Sequence, residues 1–443
     1  MTHLAVLILS CCSLFPPQDT IPPAHKTVVK DTMTMEGMDM DSTAMAQMGN
    51  MGQMDMPGGV LLTVPMSQEG SGTSWQPAVS PLYMKEYDTD DWSYMLHGAI
   101  FPRFTHQGGP RGDHQIDAPN WIMGMAQHLL DDNDEISFRI MMSLDRLTEG
   151  GDGYPLLLQT GETWDGSPLI DRQHPHDFLS EVSAIFNHKL AQGLAGFAYL
   201  GYPGEPALGP PAFMHRLSAM GDPDAPISHH WQDATHITFG VATLGLAYKQ
   251  IKLEGSIFNG REPDENRFNF DTLRLDSYSG RVSYNPSREM ALQASTSFIN
   301  NPEGDGIDVH RTTASMIHTH MFDVNEWQST TFVWGENYSP DHFRLESALF
   351  ETAYSFSENL LYLRLEYVEK LETELGIADS LNPYAKVQLN ECTIGYNGTM
   401  KKLGGLDFNL GGQLTLYSSL PTQYGSSPVS YELVLSIHPE EMK

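Results

Sequence analysis

Strict alternation of apolar and polar residues, sustained over unusually long stretches, is the feature that most constrains this chain. In 249–258, Ile251, Leu253 and Ile257 share one face while Lys252, Glu254 and Ser256 share the other. In 360–368, Leu361, Leu363, Leu365 and Tyr367 oppose Tyr362, Arg364 and Glu366. In 406–417, Leu406, Phe408, Leu410, Leu414 and Leu416 oppose Asp407, Asn409, Gln413 and Thr415. In 429–437, Val429, Tyr431, Leu433, Leu435 and Ile437 oppose Ser430, Glu432 and Ser436. A period of two is the strand signature. Strands of soluble proteins typically run about five or six residues, whereas these run roughly nine to twelve, the length of a tilted strand crossing a bilayer. Charges in mid-strand on the polar face suit a wet lumen and not a dry core.

Connection lengths point the same way. Gln192-Gly193, Ser287-Arg288, Asn325-Glu326 and Ser357-Glu358 read as very short turns, against long loops at 147–176 and 202–234. Outer-membrane barrels combine short turns at one rim with long loops at the other. The expected fold is therefore all-β: a transmembrane outer-membrane β-barrel of about 16 antiparallel strands, occupying residues 88–443. A soluble all-β protein is the competing reading.

Charge and cysteine content narrow the function classes. Asp and Glu number 56 against 25 Lys and Arg, a formal charge of −31 with no basic cluster, which excludes a nucleic-acid partner. Of three cysteines, Cys11 and Cys12 lie at the extreme N-terminus, so Cys392 alone builds neither a disulfide framework nor a thiolate zinc site. Residues 1–20 read as an export signal around the apolar stretch Leu4 to Leu9, though without a basic residue before it. Ile8-Leu9-Ser10-Cys11 resembles a lipoprotein cleavage box, with Cys11 as the lipidated residue. The chain ends Ile437-His438-Pro439-Glu440-Glu441-Met442-Lys443, not on the terminal aromatic residue usual for such barrels.

Residues 21–87 carry no period and read as a disordered, Met-rich arm. Met33, Met35, Met38, Met40, Met45, Met48, Met51, Met54 and Met56 fall among Gly, Asp, Gln, Ser and Thr, with no partner hydrophobes to make a core. Thioether sulfur is a soft donor that favours Cu(I) or Ag(I) over harder divalent ions, and spacings of two and three residues let sulfurs of a flexible chain converge on one ion. The competing reading is a low-complexity linker.

An arm with M-x-M and M-x-x-M spacing, attached to an outer-membrane barrel behind an export signal, resembles copper resistance protein B. Four stretches, Gly108-Gly109-Pro110-Arg111-Gly112, the run G-Y-P-L-L-L-Q-T-G-E-T at 153–163, D-R-Q-H-P-H-D at 171–177 and R-E-P-D-E at 261–265, are similar to a group of bacterial outer-membrane proteins described as copper-resistance proteins. That similarity covers most of 90–310. It implies a role in copper tolerance, with metal ions, outer-membrane lipid and periplasmic copper proteins as partners and Cu(I) held on the arm. It carries over no catalytic or binding residue.

The chain's 18 histidines cluster. The first long loop ends in His174-Pro175-His176-Asp177, where the proline biases His174 to an extended conformation. The second carries His215, then His229, His230 and Asp233, and meets the next strand at His236. Neutral imidazoles with carboxylates suit Cu(II), Zn(II) or Ni(II), and the two loops are placed to fold over or into the lumen together. The alternative is that these residues only hydrogen-bond within a structured plug. His310, His318 and His320 share strand parity, with His318 and His320 reading as a lumen-lining pair, and Arg261-Glu262-Pro263-Asp264-Glu265 reads as a salt-bridged rim, the alternative being a cation-attracting mouth. Catalytic signatures are absent: no G-x-S-x-G, phosphate loop, H-E-x-x-H or C-x-x-C occurs. The expectation is a non-enzymatic outer-membrane barrel for copper binding, tolerance or transport. A general porin with a polar loop constriction is the alternative, and an outer-membrane hydrolase the third reading.

Overall fold

A computed structural model describes residues 58–377 and 382–442. The export segment and the methionine arm from Met33 to Met56 lie outside the described residues.

Sixteen strands, numbered β1 to β16, form one closed antiparallel sheet. β1 is Ser93–Ile100, resuming beyond Phe101 and Pro102 as Arg103–His106; β2 is Asn120–Leu129, β3 Asp134–Met142 and β4 Leu179–Ala191. Next come β5 Leu194–Gly201, β6 Val241–Tyr248, β7 Ile251–Phe258 and β8 Ser277–Ser287. They are followed by β9 Met290–Ile299, β10 Val309–Asp323, β11 Glu326–Ser339 and β12 Phe343–Phe356. The circuit ends with β13 Asn359–Leu371, β14 Lys386–Leu403, β15 Leu406–Ser418 and β16 Val429–Pro439. Each strand pairs with its neighbour in sequence. β16 closes the ring by pairing Ile437 with Ile100, and Tyr431 to Val434 with His106 to Arg103.

At one rim the turns are short, as at Gln192-Gly193, Lys249-Gln250, Arg288-Glu289, Val324-Asn325, Ser357-Glu358 and Gly404-Gly405. Ser357 and Glu358 both take positive φ (45° and 66°), the tight hairpin geometry that matches the twist of the flanking strands. Two of the expected turns are displaced by one residue: Ser287-Arg288 falls one later, at Arg288-Glu289, and Asn325-Glu326 one earlier, at Val324-Asn325. The opposite rim carries the long connections, notably 143–178, which contains the hairpin Tyr154–Trp164 with Ser167–Gln173, and 202–240.

Burial is inverted relative to a water-soluble protein. In β7, Lys252 is 0% exposed and Glu254 7%, while Leu253 between them is 55% exposed. In the other three alternating stretches the polar residues are buried and the apolar ones exposed or half-buried, Leu365 (5% exposed) excepted. A continuous apolar outer wall of this kind is the lipid-facing surface of a membrane barrel. The protein is an outer-membrane β-barrel.

The lumen is filled. Residues 58–84, expected as part of the arm, are instead packed inside: Val60, Leu61, Val64 and Trp75 join Phe197, Tyr199, Leu208 and Phe258 in one apolar cluster. Arg139 donates to the Gly72 carbonyl (2.6 Å) and Glu69 (3.1 Å), Arg281 to Thr73 Oγ1 (2.8 Å), and Lys252 to the Thr73 carbonyl. The loop 202–240 is anchored by carboxylates that meet wall cations: Asp224 with Arg103 (2.6 Å) and Asp222 with Arg364 (2.9 Å). An unpaired buried guanidinium is costly, so loops rich in Asp and Glu are drawn in. The boundary between arm and barrel therefore falls at or before Gly58 and not near residue 87.

Candidate metal centre

Two lumenal loops bring five imidazoles around one space. His174 and His176 follow the hairpin of the loop 143–178. His229 and His230 begin the short helix His229–Gln232, and His236 ends the turn Ala234–His236. All five line a cavity of about 20 Å³, room for a single water or ion. Ring centroids are 5.1 Å apart for His229 and His236, 5.4 Å for His176 and His236, 5.5 Å for His229 and His230, and 5.9 Å for His174 and His230.

Three of these rings are tethered through Nδ1. His229 Nδ1 lies 2.6 Å from Asp233 Oδ1, His176 Nδ1 2.7 Å from Asp145 Oδ2, and His236 Nδ1 3.0 Å from the Asp233 carbonyl. Such acceptors take the Nδ1 proton and leave Nε2 as the lone-pair nitrogen, the arrangement by which outer partners orient metal-binding histidines. His236 Nε2 and His230 Nε2 are buried without a hydrogen-bond partner. Each such orphan costs about 1–3 kcal/mol, which a bound cation would recover.

Burial disfavours the charged form of His174, His229, His230 and His236. Burial, then the charges of neighbouring imidazoles, holds His174 and His236 well below the ordinary histidine value, and burial takes His230 down to about 4. His229 is also lowered by burial, against the opposing pull of Asp233. Neutral imidazole is the form that ligates. Burial alone would raise Asp233, but Arg216 (2.5 Å) and His229 outweigh it and hold the carboxyl ionised.

The two expected carboxylate ligands serve other partners. Asp233 spans His229 and Arg216 as an orienting group, and Asp177 faces Arg267 (3.3 Å). His215 stands apart, against Trp121 (4.8 Å between centroids) and His97 (5.8 Å). His310, His318 and His320 point to the outer face of β10, because Arg311, Thr313, Ser315 and Thr319 occupy its lumenal face. There His320 meets Glu289 at the short-turn rim (3.0 Å).

Sequence reasoning missed the acidic side of the centre. Glu262 belongs to the expected rim cluster, yet one oxygen of Glu262, one of Glu303 and a nitrogen of His230 lie within 4.8 Å of one another. Burial pushes Glu262 up, and the charge of Glu262, followed by burial, pushes Glu303 up to about 8. Glu162 reaches His174 Nε2 at 3.1 Å. No signal in the sequence singled out Glu303; the run R-E-P-D-E was the one pointer to Glu262.

No family model matches this chain, and no curated protein matches it. Solved structures do. Salmonella typhi OmpF, in complex with daunomycin, aligns with a TM-score of 0.51 at 11% identity, covering 80% of this chain and 100% of that one. Pseudomonas putida OprB aligns with a TM-score of 0.51 at 11% identity, covering 79% of this chain and 94% of that one. At such identities the likeness establishes the barrel fold.

Proposed function

We propose that this outer-membrane barrel binds and handles transition-metal cations, with the histidine centre of its lumenal plug as the cation site. The observation that supports this reading most is the set of five imidazoles around one ion-sized cavity, three of them held through Nδ1. The donor set suits Cu(II), Zn(II) or Ni(II). Copper tolerance is the finer form of the reading: the thioethers of Met33 to Met56 capture cuprous ion, and the plug separately binds copper that is already divalent. No metal is implied by the barrel fold itself.

A second reading is a general solute channel whose constriction is the plug. The 16-strand architecture favours it, and displacement of residues 58–84 would open the path.

Isothermal titration of the detergent-solubilised protein with Cu(II) and Zn(II), paired with planar-bilayer conductance, separates the two. The metal reading expects stoichiometric binding that is lost in the His229→Ala, His236→Ala variant. Steady conductance together with no binding of either ion would install the channel reading in its place.

A further inference from the structure

A second cavity, of about 190 Å³, lies where the wall strands β1 and β2 meet residues 58–84 and the loop 202–240. Six methionines line it: Met123 and Met125 from β2, Met66 and Met84 from the N-terminal segment, Met214 and Met220 from the loop. Elsewhere the lumenal wall presents groups such as Lys252, Glu254 and Arg281, so this concentration of sulfur is local.

Two imidazoles and an indole join the sulfurs. Trp121, His97 and His215 form a triangle of rings, with centroids 5.1 Å (Trp121 to His97, edge to face), 4.8 Å (Trp121 to His215) and 5.8 Å (His97 to His215) apart. His97 Nε2 is shielded from solvent yet has no hydrogen-bond partner. An apolar packing defect would give that nitrogen no role. A soft cation would give it one.

We propose that this cavity binds a soft monovalent cation, Cu(I) or Ag(I), through methionine thioethers together with the imidazoles of His97 and His215. Thioether carries no charge and no proton, and it selects soft ions over the borderline divalent ions that imidazole and carboxylate take. Methionine is unbranched and adaptable, so sulfurs from three separate segments can close around an ion much smaller than the cavity. The face of Trp121 adds attraction for a cation. His176 lines this cavity as well as the histidine centre, so the soft site adjoins the borderline one. The proposal rests on reading the barrel as a metal-handling protein, but it assigns a separate site with a different ion preference.

The test uses the full chain in detergent with Met33, Met35, Met38, Met40, Met45, Met48, Met51, Met54 and Met56 replaced by Leu, so that the arm contributes no sulfur. Ag(I) is the probe, read by native mass spectrometry after desalting and by methyl-labelled methionine NMR. One retained Ag(I) is expected, with methyl shifts at Met123 and Met125. Affinity should fall at least tenfold when Met123→Leu, Met125→Leu and His97→Phe are combined. Leucine conserves volume, and Zn(II) binding at the histidine centre, measured in the same variant, reports whether the fold is intact. Two results overturn the proposal: no Ag(I) retained by the arm-silenced protein, or Ag(I) affinity unchanged in the triple variant and abolished instead by His229→Asn with His236→Asn. Retained Zn(II) binding alongside either result leaves the histidine-centre reading standing.

Discussion

Asp233 Oδ1 accepts from His229 Nδ1 at 2.6 Å, while the other oxygen of the same carboxylate meets Arg216 at 2.5 Å. One buried carboxylate thus fixes the tautomer of a candidate ligand and ties the short helix to Arg216, which in turn meets Glu351 on β12 at 2.6 Å. Asp233→Asn removes the charge but keeps the size. Cu(II) or Zn(II) affinity should fall about 10- to 100-fold, measured by isothermal titration, with the strand content of the circular dichroism spectrum unchanged.

Arg103, on the wall strand β1, meets three carboxylates at once, Asp117 at 2.7 Å, Asp224 of the plug loop at 2.6 Å and Glu432 at 3.0 Å. Arg103→Leu would strand three carboxylates in the lumen. Breaking a buried pair costs about 3–5 kcal/mol, and the element with most freedom to leave is the loop that carries Asp224. Limited proteolysis should then cut within 202–240, and bilayer conductance should rise.

Leu244 on β6 is 71% exposed on the outer wall, whereas its neighbour Thr243 is 1% exposed inside. An outward arginine near mid-bilayer costs about 2–4 kcal/mol. Leu244→Arg should therefore lower the urea midpoint for unfolding from lipid vesicles. Thr243→Ser should leave it within about 1 kcal/mol, because the substitution keeps the hydroxyl.

Glu205, in the loop 202–240, is pushed up to about 8 by burial, with Arg281 only partly offsetting the shift. Its ordinary value when unfolded is about 4.3, so the folded state binds the proton more tightly. Stability from this group is complete below the unfolded value and is lost as pH rises through about 8. Thermal unfolding of the metal-free protein in detergent should show a decline between about pH 4.3 and pH 8 that is shallower in Glu205→Gln. Equal slopes for the two proteins would refute the assignment.

Much of the wall was legible from period alone. Ile251, Leu253 and Ile257 face lipid because a strand alternates sides, and the polar set between them had to line something wet. The same alternation told less about His318 and His320. Parity shows that they share a face, but only closure of the barrel, with Arg311 and Thr313 turned inward, decides that this face is the outer one. The pairing of the two long histidine loops was legible too, because both flank the hairpin of β4 and β5 and both carry closely spaced histidines.

Local sequence determined the strands, which residues share each face, the turn rim and the identity of the histidine-bearing loops, since each depends on residues adjacent in the chain. Tertiary structure alone decided that residues 58–84 fill the lumen and that His215 joins Trp121 and not His229. It also gathered Glu262 and Glu303 beside His230, and methionines from three distant segments into one cavity. These outcomes depend on which groups a closed wall leaves unpaired or unfilled. Buried charge and empty volume exact their cost only after the ring has closed, and no spacing along the chain records it.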